Sequence, residues 1–300
     1  MGRPRHSLRI PLGIIAGGVL LIGSLAAFQT PWREYPAVEY NTFPAPPDYD
    51  QPAEFIFARL MYPPNPYARF DYAGSRWAEG NSSWTQDYPR ADRHFLVALR
   101  RLTRLDVRSV EQTVNLDDGD DVFNYPFLYA VRPGEWELSD SQAEKFREFF
   151  DRGGFFMTDD FWGTDEWELF MYSMVKVFPE ANIVDIPEGD PFFDVMFDLP
   201  RDKRYQIPGA WGIRRGGFGR RGRRGGRGCT TAEGYGCQNE GGDVPAWRAI
   251  YADGRIIAVI IPNSDMGDSW EYADDPYYPE MFSRLGLRLG MNAIMYSFTH

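Results

Sequence analysis

Residues 125–168 read YPFLYAVRPGEWELSDSQAEKFREFFDRGGFFMTDDFWGTDEWE, and this stretch decides the fold. Residues 125–131 form a short apolar run with the length of a buried strand. Ser139, followed three residues later by a glutamine, forms a capping box that predicts a helix over residues 141–151. Two glycines end that helix, and residues 155–158 are a second buried strand. The succession predicts two strands of a parallel sheet with a helix between them.

The same alternation continues on both sides of this stretch. Apolar runs predict further strands, and apolar residues at helical spacing predict amphipathic helices. We predict strands at 54–62, 106–110 and 182–186. We predict one helix at 91–105, a second that begins near residue 165, and a third at about 278–296. Residues 247–251 and 256–261 are predicted to form a hairpin. Strands that alternate with helices indicate the α/β class, with a mainly parallel sheet and helices on both faces.

The N-terminus predicts a membrane segment. Arg3, Arg5 and Arg9 precede an uncharged run over residues 10–28, which spans roughly 28 Å at about 1.5 Å per residue. The run is an uncleaved transmembrane helix or a signal peptide cut near Ala26; a buried core helix is the third alternative. The basic residues predict a single pass with the N-terminus inside and the domain in the periplasm or outside.

These features divide the chain into segments. We expect a cytoplasmic basic stub at 1–9, the anchor or signal peptide at 10–28, a Pro-rich tether at 29–52, and one α/β domain at 53–300 with an Arg/Gly-rich insertion at 213–241. The predicted location is the inner membrane of a bacterial cell envelope, with other envelope or membrane proteins as partners.

The insertion is basic in a chain whose net charge is −11. An acidic body with one basic segment argues against nucleic-acid binding. Anionic lipid or acidic glycan are the expected counter-charges, and a solvated insertion is the alternative. The arginines concerned are Arg214, Arg215, Arg220, Arg221, Arg223, Arg224 and Arg227.

The chain has two cysteines, Cys229 and Cys237, and they lie within this insertion. In an oxidising compartment, such a pair is expected to form a disulfide that closes a small loop. Two free thiols and a metal site remain as alternatives. A zinc site would need two more nitrogen or sulfur ligands nearby.

Together with NIVDIPEGDPFFDVMFDL and IIAVIIPNSDMGDSWEY, the opening stretch resembles the bacterial domain of unknown function family 4159. The resemblance covers roughly residues 54–299. It implies a flavodoxin-like fold similar to that of class I glutamine amidotransferases, and an exported or membrane-attached protein. It implies no established activity.

Amidotransferases of that fold carry a cysteine nucleophile on a tight elbow written G-x-C-x-G. The matching stretch here is residues 157–163, MTDDFWG, in which an aspartate stands near the cysteine position and the preceding glycine is missing. The thiolate and its general base are the mechanism of such enzymes, so their absence from this motif argues against glutaminase chemistry.

Polar side chains follow two predicted strands. Asp159 and Asp160 come after one strand, and Asn263 and Asp265 come after another. Ligands in open α/β sheets bind outside the carboxyl ends of strands, so we expect these residues at one edge. The carboxylates are candidates for an acid/base pair or for binding a divalent cation, the one cofactor we consider. The alternative is that they cap helices and turns.

Three further residues are candidate ligand contacts. Arg76 and Trp77 lie in the long loop after the first strand, and Trp162 follows the two aspartates. Arginine grips carboxylate or phosphate, and tryptophan stacks on sugars. The alternative is that these aromatic residues hold the loop to the body of the domain.

The leading hypothesis is a membrane-tethered, non-enzymatic binding or assembly module of the cell envelope. It rests on the missing nucleophile–base set and on the N-terminal segment. The alternative is a hydrolase or ligand-binding enzyme that uses the acidic edge, with or without a divalent metal.

Overall fold

A computed structural model of the chain describes residues 30–180, 182–201, 205–210, 213, 241–242 and 244–300. Within them, seven strands form one sheet in the order β2-β1-β3-β4-β7-β6-β5. The strands are β1 (Ala58–Met61), β2 (Gln112–Asn115), β3 (Phe127–Val131), β4 (Phe155–Asp159), β5 (Ile183–Asp185), β6 (Arg248–Ala252) and β7 (Arg255–Ile261). The neighbouring strands β2, β1, β3, β4 and β7 pair in parallel. Beyond β7, the strands β6 and β5 continue the sheet in antiparallel pairing.

Helices cover both faces of this sheet, which confirms the predicted α/β class. The helices of the described residues are α1 (Arg90–Leu102), α2 (Asp140–Asp151), α3 (Gly163–Val177), α4 (Met266–Glu271) and α5 (Glu280–Thr299). Side chains of α1, α4 and α5 share one hydrophobic core, and those of α2 and α3 share a second.

The central strand β3 shows why its sequence has no polar alternation. Phe127 and Tyr129 point into the core under α1, α4 and α5, whereas Leu128 and Ala130 point into the core under α2 and α3. A strand covered on both faces needs apolar residues at every position. The apolar run was therefore a sound signal for a buried parallel strand.

The predicted capping box is present at the start of α2. The Gln142 backbone N–H donates to Ser139 Oγ at 3.2 Å, and the Ser139 backbone N–H donates to Gln142 Oε1 at 3.0 Å. The hairpin is also confirmed, since Asp253 and Gly254 both have positive φ values in the turn between β6 and β7.

The strand predicted at 106–110 is wrong in position. Val107 forms only an isolated bridge with Phe55, and the strand proper is β2, which begins at Gln112. Between the two positions, the Val110 and Glu111 carbonyls accept from the Arg108 guanidinium, so they are bonded to a side chain and not to a neighbouring strand.

The Pro-rich segment predicted as a tether packs against the domain instead. We call residues 32–43 the N-terminal strap; residues Trp32–His300 form one compact unit. The Asn81 backbone N–H donates to the Pro36 carbonyl at 2.7 Å, and the Val38 N–H donates to Thr85 Oγ1 at 3.3 Å. Gly80, with φ +95, allows this approach, because a Cβ there would lie 2.3 Å from the Pro36 oxygen.

None of the helices in the described part of the chain is both long and apolar enough to cross a membrane. The predicted stub at 1–9 and membrane segment at 10–28 lie outside the described residues, as do Cys229, Cys237 and the seven arginines of the insertion.

A buried ion pair joins β1 to α1. The Arg59 guanidinium donates from Nε and Nη2 to the two carboxylate oxygens of Asp92, each at 2.8 Å, and both side chains are fully buried. Arg59 Nη1 donates to the Trp84 and Gln86 carbonyls, each at 3.1 Å. A bidentate pair with its remaining donors satisfied meets the conditions under which a buried charge is tolerated.

We expect Asp92→Ala to lower the free energy of unfolding by about 3–5 kcal/mol, because it leaves the Arg59 charge buried and unpaired. Urea denaturation followed by circular dichroism measures the loss. The double variant Arg59→Met, Asp92→Leu removes both charges at similar volume and serves as the control. It should recover most of the stability; a double variant no more stable than Asp92→Ala would contradict the account.

Candidate functional site

The carboxyl ends of β3, β4 and β7 share an unusual backbone feature. Arg132, Asp160 and Asn263 follow these strands with φ values of 51°, 55° and 59°. Residues with a Cβ rarely adopt this left-handed region, and each instance costs of order 1–3 kcal/mol. Such strained residues are concentrated at functional sites, so this edge of the sheet is a candidate functional site.

The two polar turns predicted to meet at this edge do meet. The Asp160 backbone N–H donates to the Ser264 carbonyl at 2.7 Å, and the Asn263 N–H donates to the Phe161 carbonyl at 2.8 Å. The turn after β4 is therefore bonded directly to the turn after β7.

Asp160 is held by a buried cation. Arg132 Nη1 donates to Asp160 Oδ2 at 3.0 Å, and Arg132 Nη2 donates to Glu135 Oε1 at 2.8 Å. The indole N–H of Trp162 donates to Asp160 Oδ1 at 2.8 Å. Both oxygens of Asp160 thus have a donor. Trp162 is one of these donors, and a ligand contact by Trp162 stays a prediction.

Asp159 points to the opposite face of the sheet and joins β4 to α4. The Tyr129 hydroxyl donates to Asp159 Oδ1 at 2.7 Å, and the backbone N–H groups of Met266 and Gly267 donate to Oδ2. Burial, followed by the nearby charge of Asp160, raises the pKa of Asp159 to about 7.

Asn263 and Asp265 hold local backbone in place. The Gly163 N–H donates to Asn263 Oδ1 at 2.8 Å, and Asn263 Nδ2 donates to the Val244 carbonyl at 2.7 Å. Asp265 Oδ1 accepts the Asp268 N–H at 2.7 Å, which is the N-cap contact of α4. Asp265 has the capping role that was its alternative interpretation, and ligand binding by Asn263 or Asp265 stays a prediction.

Arg76 and Trp77 differ in their exposure on the loop after β1. The Arg76 side chain is 73% exposed and lies 3.5 Å from Glu79. Trp77 is half-buried against the core under α2 and α3, and its carbonyl accepts the Trp84 indole N–H at 2.8 Å. Trp77 therefore helps to fix the loop, and a ligand contact by either residue stays a prediction.

A cleft of about 500 Å³ opens beside this edge, between the loop after β1 and the first turns of α3. Its walls include two tyrosines, Tyr67 and Tyr172, which are 77% and 55% exposed. Its charged lining residues are Arg69, Glu135, Asp165, Glu166 and Glu168. We call this space the tyrosine cleft.

The tyrosine cleft was not predicted from the sequence, although a signal was present. Asp165, Glu168 and Tyr172 are spaced three and four residues apart, so they share one face of α3. A polar face on an amphipathic helix ordinarily indicates solvated surface, so this spacing alone does not indicate a cleft.

Carboxylates in the described residues form two groups that are able to hold a cation. One group is Glu39, Asp87 and Glu271, and the other is Asp87, Asp265 and Asp268. In each group, one oxygen per residue lies within 4.8 Å of the others. Oxygen-only ligands suit hard divalent cations. Of these five residues, only Asp265 was a predicted ligand.

The sequence comparison now decides the family. The model of the family "Domain of unknown function (DUF4159)" matches residues 68–298. The chain belongs to this family. The resemblance noted from the sequence motifs is thereby confirmed. The DUF4159 match includes β2 to β7, the edge with Asp159 and Asp160, and the lining of the tyrosine cleft except Tyr67. No curated protein matches the chain.

The raised pKa of Asp159 predicts a dependence of stability on pH. The folded protein keeps this proton at pH values where the unfolded chain, with a pKa near 3.8, has released it. The contribution to stability is therefore complete below pH 3.8 and is lost as pH rises through 7. Between these values, one proton changes the free energy of unfolding by up to about 1.4 kcal/mol per pH unit.

Asp159→Asn removes this titration. We expect urea denaturation at a series of pH values to show a steeper fall of stability with rising pH for the wild type than for the variant. Equal slopes would contradict the assigned pKa. Asp140→Asn, at a side chain that is 96% exposed, is the control and should keep the wild-type slope.

Proposed function

We propose that this DUF4159 chain is a binding module that holds a cationic ligand, an ammonium or guanidinium group, in the tyrosine cleft. The observation that carries the proposal is the lining of the cleft, which places acidic side chains beside two exposed tyrosine rings. An acidic wall attracts cations, and aromatic faces attract them through their quadrupole.

The charges in the cleft are not balanced internally. Four of its carboxylates face one guanidinium, that of Arg69. Glu135 is already held by Arg132 and by the Ser83 hydroxyl, which donates at 2.6 Å. Glu166 Oε2 accepts the backbone N–H of Trp162 at 2.7 Å, and Glu166 Oε1 lies 3.7 Å from Arg69 Nη2.

The remaining two acids provide the charge for a ligand. Asp165 and Glu168 are exposed on the first turns of α3, on the same side as Tyr172. Their position beside a ring fits a group that is positively charged and has a flat or compact apolar surface. A basic segment of another envelope protein has this chemistry.

The hydrogen bonds at the sheet edge support binding rather than catalysis. Asp160 is bonded by Arg132 and Trp162, and Asp159 is bonded by Tyr129 and the start of α4. A general acid or base has to release such contacts to reach a substrate.

A labelled tetra-arginine peptide tests the proposed cleft by fluorescence anisotropy. We expect saturable binding to the full-length chain that weakens with salt, because exposed charges are screened. The double variant Asp165→Asn, Glu168→Gln should weaken binding at least about tenfold, or 1.4 kcal/mol. Asp140→Asn, on neighbouring α2, is the matched control. Equal binding by the double variant, or of a tetra-glutamate peptide, would reject the proposal.

We also propose that residues 10–28 tether the module to the inner membrane with the domain outside the cytoplasm. Three preceding arginines and the uncharged run support this topology. A C-terminal tag should be digested by protease added to intact spheroplasts. A tag that is cut only after lysis would place the domain in the cytoplasm.

The finer fold assignment is likewise a proposal. Counted along the chain, the parallel strands β2-β1-β3-β4-β7 have the order 2-1-3-4-5, which is that of flavodoxin-like sheets. Asp160, with its left-handed φ between β4 and α3, occupies the position of an amidotransferase elbow. These features support a relation to the class I glutamine amidotransferase fold.

A further inference from the structure

Three segments far apart in the chain bring three carboxylates together beside α4, and two of the three are buried. Glu39 comes from the N-terminal strap, Asp87 precedes α1, and Glu271 ends α4. One oxygen of each lies within 4.8 Å of the others. Asp87 is 1% exposed and Glu271 is fully buried, so water cannot take the place of a counter-charge at these groups.

Two oxygens in this group have no hydrogen-bond partner. They are Asp87 Oδ2 and Glu271 Oε2. The other oxygen of Asp87 accepts from Gln86 Nε2 at 3.1 Å, and that of Glu271 accepts from the Tyr40 hydroxyl. A buried carboxylate oxygen without a donor costs several kcal/mol, and a bound ion is one of the few explanations for it.

The surrounding side chains do not supply the missing positive charge. Arg90 Nη1 lies 3.9 Å from Glu271 Oε1, but its Nη2 donates to Asp274 at 2.8 Å. Among the described residues, the charged and titratable groups around the three carboxylates are Tyr40, Arg59, Arg90, Tyr129, Asp160, Asp268, Tyr272 and Asp274. Three of these eight groups are carboxylic acids and three are tyrosines. Of the two guanidiniums, Arg59 is paired with Asp92 and Arg90 donates to Asp274.

Burial and neighbouring acids raise the pKa of these carboxyl groups. Burial, and then the charge of Glu39, raises the pKa of Glu271 to about 8. Burial also raises the pKa of Asp87 well above its usual range. Without a cation, these groups hold protons instead of charge.

We propose that Glu39, Asp87 and Glu271 bind one Ca²⁺ ion, which fastens the N-terminal strap to the domain. The ligands are oxygens only, which selects a hard cation over zinc or copper. Ca²⁺ accepts irregular carboxylate geometry with bonds of about 2.3–2.6 Å, whereas Mg²⁺ requires near-ideal octahedral geometry. The site is separate from the tyrosine cleft and does not depend on the function proposed there.

The second carboxylate group is the weaker choice of site. Asp265 Oδ1 caps α4, and Asp268 Oδ2 accepts the Ala210 N–H at 2.5 Å. Asp265 Oδ1 and Asp268 Oδ2 therefore already accept backbone N–H groups, those of Asp268 and Ala210. The two oxygens without a donor belong to Asp87 and Glu271, which both lie in the first group.

Isothermal titration of the chelator-treated full-length chain in detergent with CaCl₂ tests the site at pH 8. We expect one ion per chain with a Kd in the range of about 10⁻⁵–10⁻³ M, tighter than the value for MgCl₂. Asp87→Asn and Glu271→Gln should each weaken binding at least about tenfold. Asp140→Asn should bind as the wild type does.

Each of three results would overturn the proposal. The first is that the wild type shows no saturable Ca²⁺ binding. The second is that Asp87→Asn or Glu271→Gln binds Ca²⁺ as tightly as the wild type. The third is that Mg²⁺ binds more tightly than Ca²⁺. A folding defect is recognised separately, because each variant replaces a buried carboxyl group that lacks a counter-charge with a neutral amide of similar size. In chelator their melting temperatures at pH 8 should equal or exceed that of the wild type.

Hydrogen exchange tests the fastening of the strap. Ca²⁺ should slow exchange of the Ala37 and Val38 amides, which donate to Tyr40 O and Thr85 Oγ1. Glu39→Gln should lose this protection while the core amides of β3 exchange as before. If Ca²⁺ binds without slowing exchange at the strap, the proposed fastening of the strap is wrong, although the ion site itself remains supported.

Discussion

Burying a carboxylate costs several kcal/mol unless a cation or donor replaces the lost water, and the domain depends on meeting this requirement repeatedly. Arg59 meets it for Asp92, and Arg132 meets it for Asp160 and Glu135. Each of these guanidiniums also spans separate elements. The ion pairs therefore serve as joints between β1, α1 and the turns after β3 and β4, and the packed cores lie on either side of them.

The carboxyl edge of the sheet is where these joints collect. Parallel strands deliver their following turns to one edge, and the helices that cover the two faces begin there. At this edge the domain carries left-handed residues, buried acids and an acid-lined cleft beside α3. The packed cores thus lie on the two faces of the sheet, and the cleft and the buried acids lie at its carboxyl edge.

The sequence predicted the features that are local in the chain. The buried strands, the capping box of α2 and the meeting of Asp160 with Asn263 followed from periodicity and from the geometry of parallel sheets. The position of β2 was not predicted, because its residues, QTVN, do not form an apolar run. The group of Glu39, Asp87 and Glu271 had no local signal, since its members are brought together only by the folded strap and α4.

The strap also changes where the domain physically starts. The family match begins at residue 68, whereas β1 with its buried Arg59 and the strap against Gly80 come earlier in the chain. A fragment cut at the family boundary would expose an edge of β3 and leave Asp92 without its guanidinium. Expression fragments, domain fusions and comparisons between relatives should therefore count residues from 32 onward as part of the folding unit.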